Sequence, residues 1–219
     1  MRVFNVSIPP LRLPGILQSP EKSQAVVIFA HGSGSSRLSP RNTYVAKALN
    51  KAGFATLLFD LLLTSEEADR RNVFDIPLLA ERLATAVRWI PDQLDLTEMP
   101  IGLFGASTGA AAALVVAARM GDAVDAVVSR GGRPDLAEEA LEAVRAPTLL
   151  IVGGDDHEVV SLNEQAFAKL RCRKALKIVP SATHLFTEEG ALDSVIAEAT
   201  AWFATHLSEP TGGVDHVLR

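Results

Sequence analysis

The chain has 219 residues, 48% of them hydrophobic and 21% charged, which excludes a disordered protein and is enough for one domain to bury roughly 70% of its unfolded surface. Lys+Arg 21 against Asp+Glu 26 leaves a net charge of −5. Without a basic surplus to neutralise phosphates, nucleic acid is not an expected partner. The single cysteine, Cys172, rules out an intrachain disulfide and fits a reducing compartment rather than the disulfide-framed secreted class.

The N-terminal stretch MRVFNVSIPPLRLPGIL is broken by prolines and lacks the apolar run and cleavage site of a signal peptide. From there, short continuous apolar runs predict strands over Ala25–Ala30, Ala55–Leu62, Pro100–Gly105, Val124–Ser129, Pro147–Gly154 and Ala175–Pro180. Continuous rather than alternating runs are what a parallel sheet covered on both faces requires. Helical patterns fall between them, at Tyr44–Ala52, Ile76–Leu94, Ser107–Met120, Leu136–Val144, Leu162–Leu170 and Ala191–His206. Leu79, Leu83, Val87 and Ile90 form one apolar stripe on the second, and the third is rich in alanine. Leu63–Val73 is polar and reads as an exposed loop. This alternation predicts an α/β doubly wound, mostly parallel sheet with helices on both faces. One domain is expected over residues 1–207, followed by a frayed tail over 208–219. The longest greasy stretch, Gly109–Ala118, is far shorter than the ~20 residues that span a bilayer, so no membrane contact and a cytoplasmic location are expected. The oligomeric state stays open.

The most informative residues are Gly105-Ala106-Ser107-Thr108-Gly109. They match G-x-S-x-G, and the match gains weight from its place between an apolar strand and an alanine-rich helix. A sharp strand-to-helix turn there admits only small neighbours and lifts the serine hydroxyl above the sheet at the helix N-terminus. A bland alternative exists, in which Ser107 merely N-caps the helix. A nucleophilic serine needs a base and an acid, and in this type of fold they follow in the order acid, then histidine, each just past a strand. The strand PTLLIVGG runs into Asp155-Asp156-His157-Glu158, and ALKIVP runs into Ser181-Ala182-Thr183-His184. His184 is thus the candidate general base. His31, His157, His206 and His216 are read as structural or solvent-facing. Asp156 is the preferred acid, with Asp155 in reserve, because the acid must face inward to orient the imidazole. Adjacent residues rarely converge on one ion, so D-D-H-E is not read as a metal site, and no cofactor is expected.

His31-Gly32-Ser33-Gly34-Ser35-Ser36 follows the first predicted strand and lacks the G-K-[ST] ending of a nucleotide-binding loop. It suits half of an oxyanion hole, formed by the backbone N–H groups of Ser33 and Thr108. Arg37 and Arg130 are candidates to rim the pocket and hold a substrate carboxylate or phosphate, the alternative being structural ion pairs with acids such as Asp60 or Asp135.

Taken together, H-G-S-G-S-S-R, G-A-S-T-G, V-S-R-G-G-R-P-D, V-G-G-D-D-H-E-V-V and A-T-H-L-F resemble the α/β-hydrolase superfamily, in particular its small, lid-less dienelactone-hydrolase-like branch, over Ala25–Leu207. The resemblance implies Ser107 as nucleophile, Asp156 as acid and His184 as base. Dienelactone hydrolases proper carry a cysteine nucleophile, whereas this elbow holds Ser107, so the expectation is a serine hydrolase of small acyl esters rather than of dienelactone. A thioesterase or other acyl transfer on the same triad, and a non-catalytic ligand-binding module, are the alternatives.

Overall fold

The computed structural model describes residues 1–93 and 96–207. The expected helix end at Leu94 and the tail 208–219 lie outside the described residues. The chain begins with a hairpin, β1 (Arg2–Ile8) and β2 (Leu13–Ser19), followed by β3 (Val26–Ala30), α1 (Pro40–Lys51) and β4 (Ala55–Phe59). A single helical turn, α2 (Thr64–Glu67), leads to α3 (Ile76–Trp89), β5 (Ile101–Ala106), α4 (Thr108–Met120) and β6 (Ala126–Arg130). A 3-10 segment over Pro134–Ala143 then connects to β7 (Thr148–Gly153), α5 (His157–Lys169), β8 (Lys174–Val179) and α6 (Ala191–His206). The strands form one eight-stranded sheet in the order β1-β2-β4-β3-β5-β6-β7-β8. All neighbours from β4 to β8 are parallel, and the β1–β2 hairpin adds antiparallel to β4.

The sheet separates two apolar layers. On one face, Leu79, Leu83 and Val87 of α3 pack with Ala111, Leu114 and other residues of α4 and with Ala166 of α5. On the other, Val45 and Leu49 of α1 meet Val195, Ala199 and Phe203 of α6. Strands β3 to β7 are buried along their whole length, as expected of a sheet covered by helices on both sides. Small side chains let α4 lie close against the sheet, and it is buried from Thr108 to Ala117. Chain direction across the sheet reverses where β3 lies between β4 and β5, and ligands in open α/β sheets bind at the carboxyl ends of strands beside such a reversal.

Several boundaries differ from the sequence expectation, each for a local reason. The β1–β2 hairpin was not expected. Its first strand is half exposed, with Val3 open to solvent, so it lacks the continuous apolar signature of the others. Helix α1 starts at Pro40, four residues before Tyr44, because Ser39 Oγ accepts the Asn42 N–H at 3.3 Å and Pro40 sets the first helical φ. Helix α3 stops at Trp89, giving way to a 3-10 turn that contains Pro91. The expected loop at Leu63–Val73 holds α2, pinned by the Glu66 carboxylate, which accepts the Leu63 N–H at 2.8 Å and pairs with Arg82 at 2.8 Å. The α-helix expected over Leu136–Val144 is instead the 3-10 segment, interrupted at Glu138 with φ 49°. That segment is all that joins β6 to β7, so no cap domain covers the sheet there. Helix α5 begins at His157 rather than Leu162, directly after Asp156. Among the described residues, no helix is long and apolar enough to cross a membrane.

Candidate active site

Ser107 occupies the turn between β5 and α4 with φ 50° and ψ −121°, a region sparsely populated by residues that carry a Cβ. Two glycines allow the turn. A Cβ on Gly105 would lie 2.4 Å from Ala110 Cα, and one on Gly109 would lie 2.2 Å from the Ala30 carbonyl oxygen. The backbone is clamped from the β6 side, where the Ser107 N–H donates to Arg130 O at 3.4 Å and the Arg133 N–H donates to Ser107 O at 3.1 Å. Arg133 is fixed in turn by a bidentate pair with Asp135 at 2.8 and 2.9 Å, a hydrogen bond that raises its pKa. Buried Asn163 of α5 donates to Gly132 O at 3.1 Å and ties the same loop down. The Ser107 hydroxyl makes no capping bond to α4, which removes the alternative in which the serine serves only as a helix cap.

His184 and Asp156, 28 positions apart, are brought together by the loops after β8 and β7. His184 Nδ1 lies 2.7 Å from Asp156 Oδ2, leaving Nε2 free of that bond. Asp155 is exposed and contributes only backbone, its N–H donating to Ala182 O at 3.0 Å. Geometry therefore favours Asp156 over Asp155 as partner of the imidazole. His157 is exposed, and no group of three or more metal-ligating side chains clusters among the described residues. A residue that sequence reasoning missed braces this loop: the Glu188 carboxylate accepts from the Thr183 N–H at 3.1 Å and the Thr183 hydroxyl at 2.5 Å. The Thr183 hydroxyl bond holds the Glu188 pKa below the usual carboxylate range.

Ser107 and His184 line one cavity of about 180 Å³ together with Gly32, Ser33, Ser35, Arg41, Ala106, Arg130, Gly131 and Leu185. Among the described residues no hydrogen bond joins Ser107 Oγ to His184; unliganded sites often show this contact long. Ser33 presents its amide from the loop after β3, donating to no other backbone group among the described residues. The Thr108 amide is one of the first-turn donors that a helix leaves unpaired. His31, at the base of the loop, is structural. Its Nδ1 donates to Gly32 O at 3.0 Å and its Nε2 accepts the Leu61 N–H at 3.0 Å. Burial pushes its pKa down, so it is held neutral.

The two candidate rim arginines part company. Arg37 does not line the cavity and is bound to Asp60 through both its guanidinium and its N–H, so the structural ion pair describes it. Arg130 does line the cavity, is 6% exposed, and has no carboxylate partner among the described residues. Its Nη2 donates to Asn42 Oδ1 at 3.3 Å. Desolvation, with a smaller push from the charge of Arg41, moves its pKa down to about 10. Arg41, on the first turn of α1, was not anticipated as a site residue.

The sequence profile of the dienelactone hydrolase family matches residues 13–206. The chain belongs to the dienelactone hydrolase family. A dienelactone hydrolase from Anabaena variabilis is 51% identical and superposes with a TM-score of 0.90, covering 94% of this chain and 97% of that one. The esterase domain of a Rhodothermus marinus protein shares the fold at 22% identity, with a TM-score of 0.75 over 94% of this chain and 99% of the domain. A Mycobacterium tuberculosis protein provisionally named phosphoribosyl transferase is 56% identical over 201 residues, 92% of this chain and 45% of that protein. The chain thus spans about half the length of the curated relatives that it matches. As a family member it has the α/β-hydrolase fold, with its cavity at the carboxyl edge of the parallel strands.

Proposed function

We propose that the chain is a serine hydrolase that cleaves small carboxylic esters through a covalent acyl-enzyme. The observation that carries this reading is one cavity lined by the strained Ser107 and by a histidine whose Nδ1 is bonded to Asp156 at 2.7 Å. With Nδ1–H donated to the carboxylate, Nε2 is the nitrogen able to take a proton. Ser107 Oγ attacks the carbonyl carbon while its proton passes to His184 Nε2. The negative charge on the former carbonyl oxygen is met by the Ser33 and Thr108 amides. The tetrahedral species collapses, the carbon–oxygen bond to the alcohol breaks, and His184 returns its proton to the departing oxygen. Water, deprotonated by the same nitrogen, then attacks the acyl-enzyme and releases the acid and Ser107. The transferase name of the mycobacterial relative describes a protein of which the chain matches less than half, and no step here depends on it.

The test is reaction of the folded protein with a fluorophosphonate probe and mapping of the adduct by mass spectrometry, alongside Ser107→Ala, His184→Ala and Asp156→Asn. The expected result is an adduct on Ser107 that is lost in Ser107→Ala and His184→Ala. In Asp156→Asn, ester turnover drops by about 10⁴-fold, the scale seen when a triad acid is neutralised. A folded, unlabelled wild type would overturn the assignment.

A further inference from the structure

Arg41 and Arg130 line the cavity beside Ser107, and among the described residues no carboxylate lines it. Arg130 ends β6 and is 6% exposed. Among the described residues only its Nη2 has a hydrogen-bond acceptor, Asn42 Oδ1 at 3.3 Å, and its guanidinium carbon lies 5.8 Å from the centre of the Phe186 ring. Its Nε is buried without an acceptor, and so is that of half-buried Arg41. Neither forms an ion pair among the described residues, whereas the neighbouring Arg37 and Arg133 are neutralised by Asp60 and Asp135.

This arrangement runs against the ordinary rules of stability. A buried charge is expensive unless paired. Here a second positive charge sits close enough to disfavour the first. Arg41 and Asn42 lie in the first turn of α1, at the positive end of the helix dipole, where an anion is favoured and a cation is not. All of this occurs in a chain whose net charge is −5. An anion in the cavity would reverse every one of these penalties.

We propose that Arg41 and Arg130 form an anion subsite that takes a phosphate monoester carried by the ester substrate. Two arginines at one cavity offer a charge of two and N–H donors without acceptors, which matches the dianion and oxygens of a phosphate better than the single charge of a carboxylate. The cavity of about 180 Å³ is smaller than the roughly 300–1,000 Å³ of drug-sized sites, which suits a short acyl chain beside the phosphate. The subsite deepens the ester-hydrolase reading and rests on it for the identity of the reacting bond, though not for the binding of the anion.

The experiment separates the two. In Ser107→Ala protein, which cannot turn over, inorganic phosphate and acetate are titrated by calorimetry, with and without Arg41→Gln or Arg130→Gln. In wild-type protein, kcat/KM is compared for the acetyl ester of a hydroxyalkyl phosphate and for the same ester without the phosphate. Phosphate is expected to bind more tightly than acetate. Each arginine substitution is expected to weaken it by about 10- to 100-fold, the worth of a charge-assisted hydrogen bond, and the phosphorylated ester is preferred mainly through a lower KM. Arg41 is half exposed, so Arg41→Gln keeps the test decisive if Arg130→Gln fails to fold. Phosphate binding that is absent, that survives Arg41→Gln, or that is matched by acetate overturns the subsite. Phosphate binding lost in Arg41→Gln, in a protein that neither reacts with fluorophosphonate nor cleaves either ester, upholds the subsite and overturns the hydrolase reading.

Discussion

Ser107 holds φ 50° and ψ −121°, and this conformation can be weighed without reference to activity. A residue with a Cβ in such a region carries about 1–3 kcal/mol of strain. Glycine, for which positive φ is nearly free, would carry almost none. Ser107→Ala removes the hydroxyl but keeps the Cβ and its strain, whereas Ser107→Gly removes both. Against the relief stand the extra unfolded-state entropy of glycine, about 0.5–1 kcal/mol, and the loss of one half-buried carbon, roughly half of the ~0.8 kcal/mol of a fully buried methylene. The balance leaves Ser107→Gly more stable than Ser107→Ala by about 1 kcal/mol. In a chain of this length that is a rise in Tm of about 2–4 °C. Calorimetric melts of the two variants measure it directly, and both lack the hydroxyl, so neither differs in chemistry. A glycine variant that melts below the alanine variant would refute the claim that the elbow stores strain.

Asn163 donates to Gly132 O at 3.1 Å and Val159 O at 2.8 Å while fully buried. Asn163→Ala is therefore expected to cost about 2–4 kcal/mol, seen as a Tm lower by about 4–16 °C; an unchanged Tm would show the loop to be held by other contacts. Because the pKa of His31 is depressed below its ordinary 6.5, its contribution to stability is fully present above about pH 6.5 and is lost as pH falls through the folded-state value. Urea unfolding between pH 8 and 5 should show a steeper acid-side loss in wild type than in His31→Gln, and equal slopes would contradict it. Glu188→Ala frees Thr183 and hence the loop that carries His184. As a half-buried position with two hydrogen bonds to lose, it should lower Tm by about 2–4 °C, yet lower kcat of ester cleavage by about 10- to 100-fold through misplacement of the imidazole; full activity would remove Glu188 from the positioning of His184.

Strands β3 to β7 were legible because burial on both faces writes a continuous apolar run into them, as in Val26–Ala30 and Thr148–Gly153. The edge hairpin was not, because β1 is exposed or half-buried up to Ile8 and is followed by Pro9, Pro10 and Pro14, which read as breaks. Helix α1 was misplaced at its start for a different reason, since its signal is a cap, Ser39-Pro40, rather than a periodicity. The 3-10 segment shows the limit of pattern reading. Its apolar positions have helical spacing, but Glu138 at positive φ breaks the helix, and nothing in the spacing reveals it.

Ser107, Asp156 and His184 were legible as candidates for a topological reason: they lie within five residues of the ends of β5, β7 and β8, and parallel strands deliver their ends to one edge. The arginines have no such rule. Arg37, which the sequence put forward, and Arg41, which it did not, are four residues apart on the same approach to α1. What divides them is Asp60, just past the end of β4, which binds Arg37 through both side chain and backbone. Arg41, four residues further on and without an ion pair among the described residues, lines the cavity instead, together with an arginine from a strand end 89 positions later in the sequence. The positive character of the site thus arises from which cation is left without an acid. That outcome depends on the packing of α1 against the strand ends and belongs to no local motif.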